Sequence, residues 1–445
     1  MKVGSQSQFH PWNLFDKSCG QLSRILFAVF LMVVSLEVIE SRFLVKTLPG
    51  FDGDLPFTLE TGYIGVGESD VVQLYYYFIE SEGNPEDDPL ILWLNGGPGC
   101  SALSGIFYEI GPLTINYENS TLEKAILEIR PHGWTKVASI IFLDQPVGSG
   151  FSYARTPEGY LSNDTLSAMQ TYQFLRKWLV DHPKFLKNPF YVAGDSYSGI
   201  VLPMVVQKIY NGIEVGEWPQ INIKGYVLGN PVTDRSIEHN SRISYAHNMA
   251  LLSDEIYEST KENCHGEYLN VDPNNSLCIR DLQVVKKCLE RIFMDHILEP
   301  SCEPSDPFKS NMLGRSMRSL DEISVDAWPL PQFPMHWCRK GSYIYSSTWA
   351  NSRDVREALH IHEVSGSFGD HDMKVPYFNT LNWIKSLNLS IENDWRPWFV
   401  DKQVAGYTMK FSKNDYSLTY ATVKVRNLPQ SFYSIEADLI KFEFI

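Results

Sequence analysis

The sequence has little positive charge, no apolar run of membrane-spanning length and no histidine after His371. Its 38 lysine and arginine residues face 53 aspartate and glutamate residues, which gives a formal net charge of −15 at pH 7. Because phosphate groups are bound by basic surfaces, this balance argues against nucleic acid as a partner. Hydrophobic residues make up 44% of the chain, which predicts a packed core rather than a disordered chain.

An apolar run at residues 25–34 follows Arg24 and precedes several small residues. A bilayer span needs about 20 apolar residues, so this run is too short and is typical of a secretory signal peptide. We therefore expect residues 1–40 to be a signal peptide with a preceding segment, no stable membrane span, and an extracellular or vacuolar location. The stretch before the run is unusually long, which keeps a signal anchor as the alternative.

The cysteines and glycosylation sequons fit a secretory route. Of the seven cysteines, Cys19 lies in the segment that a signal peptidase would remove. An even number in an oxidising compartment predicts disulfides, whose connectivity the spacing leaves open. The six that remain are Cys100, Cys264, Cys278, Cys288, Cys302 and Cys338. The Asn-X-Ser/Thr sequons, each a weak signal alone, begin at Asn119, Asn163, Asn274 and Asn388.

Short apolar runs alternate with helical patterns through the first half of the chain. The strand-like runs are 71–78, 89–94, 138–143, 190–193 and 223–228, and the helical ones are 167–180 and 200–210. This alternation predicts an α/β fold around a central, mostly parallel sheet, within a single domain that covers residues 41–445.

The pattern changes between residues 234 and 345, where strand-like runs become sparse and several cysteines cluster. We expect a helical insertion here, tied by disulfides and placed as a lid over the site. A helix is predicted to resume over residues 349–360.

The segment GDSYS, at residues 194–198, follows a predicted buried strand and precedes a predicted helix. A serine at such a turn stands at the carboxyl edge of a parallel sheet, where the helix N-terminus stabilises negative charge. Ser196 is therefore a candidate nucleophile, although Gly-X-Ser-X-Ser is in most proteins only a tight turn.

A second glycine-rich turn, LNGGPGC at residues 94–100, also follows a predicted buried strand. Acyl transfer at a serine needs N–H donors aimed at the developing oxyanion, and this turn is suited to supply one. Its alternative reading is a plain Gly-Pro turn. Asp372 follows the serine in the order that a triad acid requires, but alone it is an ordinary loop aspartate.

These turns belong to a set of longer segments. They are LILWLNGGPGCSALSG (90–105), YEIGP (108–112), IIFLDQPVGSGFSYA (140–154), GDSYSG (194–199), GYVLGNP (225–231) and GDHDMKVP (369–376). Together they resemble the plant serine carboxypeptidase-like family, over about residues 43 to 424. The resemblance implies an α/β-hydrolase fold, acyl-enzyme chemistry at serine, and no cofactor or metal.

The resemblance also implies roles for individual residues. Ser196 would be the nucleophile, Asp372 the triad acid, and the backbone N–H groups of Gly97 and Tyr197 the oxyanion hole. The residues that hold a substrate's C-terminal carboxylate in the peptidases correspond to Asn95, Gly96, Glu109 and Asp195. The implied disulfides are Cys100–Cys338, Cys264–Cys278 and Cys288–Cys302.

Asp195 stands where the peptidases have a glutamate. Two acidic side chains can hold a carboxylate only by sharing a proton, so this recognition should favour acidic pH. Two branches of the family fit the motifs: peptidases, which release C-terminal residues, and acyltransferases, which move an acyl group from a glucose ester to another acceptor. GDSYSG and CSALSG look more like the acyltransferase branch. A peptide and an acyl-glucose ester are therefore the two expected substrate classes.

The chain departs from the family pattern in two places. Residues 360–368 run almost directly into the Asp372 loop, where the family has a longer segment with a strand. Residues 418–424 resemble the family strand that leads to the catalytic loop. After Lys424, residues 425–445 form an atypical tail in place of the Gly-His-X-X-Pro loop that carries the family's catalytic histidine. His360, His362 and His371 are poor substitutes, since a lone histidine is more often a surface or capping residue.

We therefore expect a family member whose activity is impaired. The alternatives are a catalytically inactive splice form or pseudoenzyme of the same fold and, more weakly, a membrane-tethered interaction protein.

Overall fold

The central feature of the computed structural model is an eight-stranded mixed sheet, in the order β1-β2-β3-β7-β4-β9-β10 with β8 paired to β3. The structure describes residues 42–294, 297–298, 339–362, 384, 387–400, 402–414 and 416–423. The strands are β1 (Arg42–Val45), β2 (Leu59–Val66), β3 (Val72–Ile79), β4 (Leu90–Leu94), β5 (Leu113–Ile115), β6 (Leu127–Ile129), β7 (Ser139–Leu143), β8 (Tyr153–Ala154), β9 (Phe190–Asp195), β10 (Ile223–Gly229), β11 (Ser390–Val400), β12 (Gln403–Lys413) and β13 (Tyr416–Val423). The helices are α1 (Asp164–Asp181), α2 (Ser198–Glu214), α3 (Arg235–Asn248), α4 (Asp254–Cys264), α5 (Ser276–Leu289), α6 (Arg339–Asn351) and α7 (Arg353–Ala358).

The apolar runs of the sequence form the interior of this sheet, which confirms the predicted α/β architecture. β4, β7 and β9 pair in parallel and β9 pairs in parallel with β10. β4 and β7 are buried along their whole length, as expected of parallel strands that are covered on both faces. In the β4–β9 register Leu94 lies opposite Gly194, so the turns that follow these two strands meet at one edge of the sheet.

Side chains of β3 alternate between the two faces of the sheet, and both faces are buried. Tyr75 and Tyr77 join one hydrophobic cluster with Phe142. Tyr76 and Phe78 join the other, which also holds the α1 residue Trp178. Alternation between two faces is the period-2 geometry of a strand, and burial on both faces explains why β3 is largely apolar.

The helices that flank β9 fit the predicted patterns. The helix expected at 167–180 is α1, and its first turn is capped by the Asn163 side chain, which accepts a hydrogen bond from Leu166 N at 2.9 Å. The helix expected at 200–210 is α2, which begins two residues after Ser196. Among the described residues, no helix is long and apolar enough to cross a membrane.

Helices α3, α4 and α5 share a small hydrophobic cluster of their own. Cys264 at the end of α4 and Cys278 in α5 form a disulfide within this cluster. The chain between residues 235 and 289 is thus largely helical, and most of the remainder of the expected insertion lies outside the described residues.

The single helix predicted over 349–360 is wrong. The structure has α6 up to Asn351 and α7 from Arg353, and the intervening Ser352 has extended backbone angles of φ −66° and ψ 146°. Serine competes with helical hydrogen bonding and favours positions just before a helix. The apolar spacing continues across this break, which is why periodicity alone misses it.

β11, β12 and β13 form a separate three-stranded antiparallel sheet. Its buried residues are Ile384, Met409, Phe411 and Tyr420, a cluster of their own. The strand-like segment at 418–424, which resembles the family strand before the catalytic loop, thus lies mostly in β13. In the described part of the chain, the strand path of the central sheet ends at β10.

Candidate active site

Ser196 lies in the sharp turn between β9 and α2. Its backbone is left-handed, with φ +49°, a conformation that costs energy for a residue with a side chain. Three backbone hydrogen bonds hold it: Ser196 N donates to Gly229 O at 2.9 Å, and Ser196 O accepts from Val232 N at 2.8 Å and Gly199 N at 3.1 Å. The turn is therefore fixed by β10 and the segment after it, and it has the strand–turn–helix geometry of a nucleophile elbow.

The second glycine-rich turn packs directly on this elbow. A Cβ atom added at Gly96 would lie 2.6 Å from Ser196 Cβ and 2.9 Å from Tyr197 N, so only glycine allows this approach. The next residue, Gly97, has φ +114°, a region that L side chains rarely adopt. The Ser196 turn and the Gly96 turn are thus in contact. The close approach at Gly96 and the positive φ at Gly97 both require glycine.

Tyr197 stands at the N-terminus of α2, where unsatisfied N–H groups favour negative charge. Its side chain reaches α1, since Tyr197 Oη donates to Asp164 Oδ2 at 3.3 Å. Burial, and then the charge and hydrogen bond of Asp164, raise the pKa of Tyr197. The start of α2 is thereby tied to the start of α1.

Asn95 and Glu109 form one half of the predicted carboxylate-binding group. Asn95 is buried, and its Nδ2 donates to both Glu109 carboxylate oxygens, at 2.8 and 2.9 Å. Its Oδ1 accepts from Trp93 Nε1 at 3.1 Å and from Gly105 N at 3.2 Å. These two donors fix the orientation of the amide, so that its N–H groups face Glu109.

Asp195 and Gly96 form the other half. Asp195 Oδ1 accepts from Gly96 N at 2.9 Å, and Ser198 Oγ donates to the Asp195 carbonyl oxygen at 2.7 Å. The structure therefore brings all four predicted residues together with Ser196. In both halves a carboxylate of the protein is the acceptor and a neighbouring turn group is the donor.

Asp144, which no sequence motif marked as a site residue, holds the chain just after the glycine-rich turn through hydrogen bonds. It is fully buried, directly after β7, and accepts hydrogen bonds from Ser101 Oγ and Ala102 N at 2.8 Å each and from Phe151 N at 2.9 Å. Burial raises the pKa of Asp144 to about 6, against the lowering effect of these hydrogen bonds. Its position after a buried strand, inside one of the quoted motifs, is the signal that could have found it.

Arg130 is the second residue that sequence reasoning missed. It follows β6 and is buried, and its guanidinium donates to the carbonyl oxygens of Phe107, Glu109 and Leu113. Burial lowers the pKa of Arg130 to about 10, and the charge of Glu109 opposes that shift. No pattern in the sequence marks this arginine, because its partners are backbone groups of a distant turn.

His362 lies far from the serine. Its ring stacks on Tyr63 of β2 at a centroid distance of 4.2 Å, and its Nδ1 is hydrogen-bonded to Tyr153 Oη at 2.9 Å. Burial, and then the charge of Arg155, lower the pKa of His362. β2 is four strand spacings from β9, or about 19 Å across the sheet. This histidine is therefore not placed to serve Ser196 as a base.

Other predicted residues are distributed as follows. Asp372, His371, Cys302 and Cys338 lie outside the described residues. Cys100 is buried and Cys288 is exposed. The sequon residues Asn119, Asn163, Asn274 and Asn388 are all exposed. Within the described ranges, no group of three or more histidine, cysteine, aspartate or glutamate side chains is arranged to hold a metal ion.

Comparison with known proteins decides the family. The family model described as serine carboxypeptidase matches residues 49–368 and 367–425. The chain belongs to the serine carboxypeptidase family. Serine carboxypeptidase-like 1 of Arabidopsis thaliana is 47% identical over 416 residues, covering 91% of this chain and 92% of that protein. Serine carboxypeptidase-like 17 of the same plant is 46% identical over 418 residues, covering 92% and 94%.

A solved structure supports the fold. Kex1(delta)p, a prohormone-processing carboxypeptidase from Saccharomyces cerevisiae, matches with a TM-score of 0.60 and 18% identity, over 86% of this chain and 91% of that one. The predicted α/β-hydrolase fold is thereby confirmed, as is the family that the sequence motifs indicated. The match to the family model falls into two segments that meet at residues 367–368, and the second ends at 425. Both positions coincide with the two departures identified in the sequence.

Proposed function

We propose that this member of the family carries out acyl-enzyme chemistry at Ser196, and that the step it supports best is acyl transfer from a sugar ester. The observation that carries the proposal is the contact between the Ser196 elbow and the Gly96 turn, which brings together a nucleophile, two candidate oxyanion donors and a polar subsite. Ser196 Oγ would attack the acyl carbonyl carbon and lose its proton to water, which is a slow step without a triad base. The N–H groups of Gly97 and Tyr197 would stabilise the oxyanion.

The second half of the reaction follows from the same groups. Collapse of the tetrahedral intermediate breaks the bond to the leaving alcohol or amine, which takes up a proton, and leaves the acyl group on Ser196. A water molecule or an acceptor hydroxyl then attacks the ester carbonyl and regenerates the serine. Hydrolysis and transfer differ only in this second nucleophile.

The subsite beside Ser196 supports a hydroxyl-bearing substrate. The donors expected to hold a peptide carboxylate are the Asn95 amide and the Gly96 N–H, and both donate to carboxylates of the protein itself. The Glu109 and Asp195 carboxylates that accept these bonds lie beside Ser196 as acceptors. Sugar hydroxyls can donate to such acceptors, whereas a free carboxylate is repelled unless a proton is shared. Carboxypeptidase activity at acidic pH is the second candidate, because protonation would remove that repulsion.

We also propose that turnover by this chain is impaired. The support is the end of the family match at residue 425, the absence of histidine after His371 and the remote position of His362. Without its base, a serine triad loses on the order of 10⁶ in kcat. An inactive splice form or pseudoenzyme of the same fold would have the same properties.

The cellular setting is part of the proposal. The Cys264–Cys278 disulfide and the exposed sequon asparagines are compatible with passage through an oxidising secretory compartment. We place the protein outside the cell or in the vacuole, with the helices from residue 234 onward as an insertion beside the site.

The test is labelling of the purified full-length chain with a fluorophosphonate, which reacts with activated serines. We expect labelling at or near the level of Ser196→Ala, because the nucleophile lacks a base. Tyr210→Phe, a change on the exposed side of α2, is the matched variant that should behave as the unmodified chain. Rapid labelling that Ser196→Ala abolishes would overturn the proposed impairment and support the nucleophile assignment.

A further inference from the structure

The segment that follows β10 holds the Ser196 turn in place. Val232 N donates to Ser196 O at 2.8 Å, and a Cβ atom added at Gly199, in the first turn of α2, would lie 2.5 Å from Val232 O. Val232 is itself buried. Ser196 has a left-handed backbone, and such a conformation persists only where the surrounding structure holds it. The position of Val232 therefore bears directly on the shape of the nucleophile turn.

Glu238, in the first turn of α3, fixes the two residues that come after Val232. Its Oε1 accepts hydrogen bonds from Thr233 N at 2.5 Å and from Asp234 N at 3.3 Å. Only 5% of Glu238 is exposed, and a polar group in such a place is costly unless donors satisfy it. In return, the Asp234 side chain caps α3 by accepting from Ile237 N at 2.9 Å. Reciprocal contacts of this kind join a helix to the segment that precedes it.

We propose that Glu238 is a positioning residue for Ser196, acting through the backbone of residues 232–234. α3 is the first helix of the region proposed as an insertion, so this contact also couples that region to the nucleophile turn. The inference rests on the proposed function, because it concerns the nucleophile of that reaction. A misplacement of ~1 Å can cost about 100-fold in rate, so a contact that fixes the turn matters even at a distance from the reacting atoms.

Hydrogen exchange of the full-length chain measures whether the Ser196 turn depends on Glu238. Glu238→Ala removes the acceptor, and we expect the amides of residues 196–200 and 232–234 to exchange at least tenfold faster. Glu238→Gln keeps an oxygen that can accept from both N–H groups, so exchange should return to within about threefold of the unmodified chain. Calorimetry with 1-O-benzoyl-β-D-glucose, an ester with free hydroxyls, should show at least tenfold weaker affinity for the alanine variant and recovery for the glutamine variant.

Glu258→Ala is the matched control, because Glu258 is an exposed glutamate of α4 that is paired with Lys261 at 3.7 Å. It should change neither quantity. If Glu238 only caps its own helix, Glu238→Ala will speed exchange within residues 235–248 while residues 196–200 exchange as before, and that result would overturn the inference. If the ester does not bind even the unmodified chain, the proposed function fails, and the exchange of residues 196–200 still decides the role of Glu238.

A shorter acid keeps the inference testable if Glu238→Ala does not fold. Glu238→Asp retains the carboxylate but removes one methylene group, which draws the acceptor back from Thr233 N. We expect the amides of residues 196–200 to exchange at least threefold faster in this variant. Exchange equal to that of the unmodified chain would show that the hydrogen bonds of Glu238 do not hold the turn, and it would overturn the inference.

Discussion

Two regions of this chain pair their strands in different ways. In the central sheet, β4 and β9 lie side by side in parallel, and the turns that follow them bring Gly96 into contact with Ser196. Near the C-terminus, β11 to β13 pair with one another in sequence order as an antiparallel sheet. The first region assembles a site from segments about a hundred residues apart, and the second is built from local contacts.

The difference shows which parts of the candidate site are assembled by the central sheet alone. The Ser196 turn and the Gly96 turn depend on the register between neighbouring parallel strands, and the polar residues beside them are held by hydrogen bonds of their own. Asp372, the triad acid that the resemblance implies, and the position after Lys424 where it implies a histidine both lie outside the described residues. In this chain β13 lies in a separate sheet with a small core of its own.

The segment that leads from the central sheet toward the second region, up to His362, packs against the central sheet. Leu359 is buried in the larger cluster, and its carbonyl oxygen accepts from Thr61 Oγ1 at 2.9 Å and Tyr75 Oη at 2.5 Å. His362 N donates to Tyr63 Oη at 3.2 Å. The first segment of the family match, which extends to residue 368, thus includes a well-packed segment up to residue 362.

The largest expected effect compares one phenylalanine from each region. Phe142 is fully buried in the central sheet and Phe411 is 3% exposed in the separate sheet. Phe142→Ala should lower the free energy of unfolding by about 3–5 kcal/mol, as is usual for a large core truncation. Phe411→Ala should destabilise only the small sheet, because few buried residues surround it. Thermal melting with hydrogen exchange of residues 139–143 and 403–423 measures both effects.

An equal loss of protection in both segments, from either variant, would contradict the view that the regions are separate. Leu59 is buried in the core of the first region, and Leu418 is packed against the core of the second. The two leucines allow the comparison to be repeated with a smaller side chain.

The next effect concerns the charge that the first region buries. Burial raises the pKa of Asp144 from 3.8 to about 6, so the folded protein binds this proton more tightly than the unfolded chain. Ionisation of Asp144 therefore costs stability as pH rises through 6, and the cost is absent below about pH 4. A shift of this size is worth ~3 kcal/mol.

Asp144→Asn isolates that cost, since it cannot ionise. Between pH 4 and 7.5 the unmodified chain should lose ~3 kcal/mol of stability relative to the variant, as measured by urea unfolding at both pH values. A stability difference that stays constant with pH would show that Asp144 does not titrate in this range.

Gly96→Ala tests the contact between the two turns. The added Cβ would meet Ser196 Cβ at 2.6 Å and Tyr197 N at 2.9 Å, so one turn must move. We expect at least a tenfold weaker affinity for 1-O-benzoyl-β-D-glucose, with a smaller change in melting temperature. Gly225→Ala is the matched control, because its Cβ would meet only Tyr191 side-chain atoms at ordinary distances from 3.7 Å. Equal losses of affinity from both variants would show that the ligand does not bind beside this turn.

Much of the first region could be predicted from the sequence, because its strands are short apolar runs that end in glycine-rich turns. The candidate residues Ser196, Gly96 and Asn95 were selected through motif and resemblance, and they lie together at the ends of β4 and β9. Arg130 and Asp144 were missed, since their roles depend on backbone groups that a sequence pattern does not display.

The second region could be predicted less well. The strand expected near residue 418 exists, but which sheet it joins depends on long-range pairing, and periodicity says nothing about partners. Likewise the break at Ser352 depends on one extended residue inside an otherwise helical pattern. Local patterns thus identify elements, and only the packing decides how they are joined.

The smallest expected effect tests the docking of the segment between the regions. Tyr153→Phe removes the hydroxyl that is hydrogen-bonded to His362 Nδ1 at 2.9 Å. The His362 ring stays stacked on Tyr63, and the ring at position 153 keeps its edge contact with Tyr63. The lost bond should cost about 1 kcal/mol and raise the exchange rate of backbone amides near residue 362, without changing the melting of the central sheet. Tyr210→Phe, on an exposed tyrosine of α2, should change neither quantity. Unaltered exchange near residue 362 would mean that the Leu359 contacts alone hold this segment. The part of the chain that packs on the central sheet would then end closer to α7.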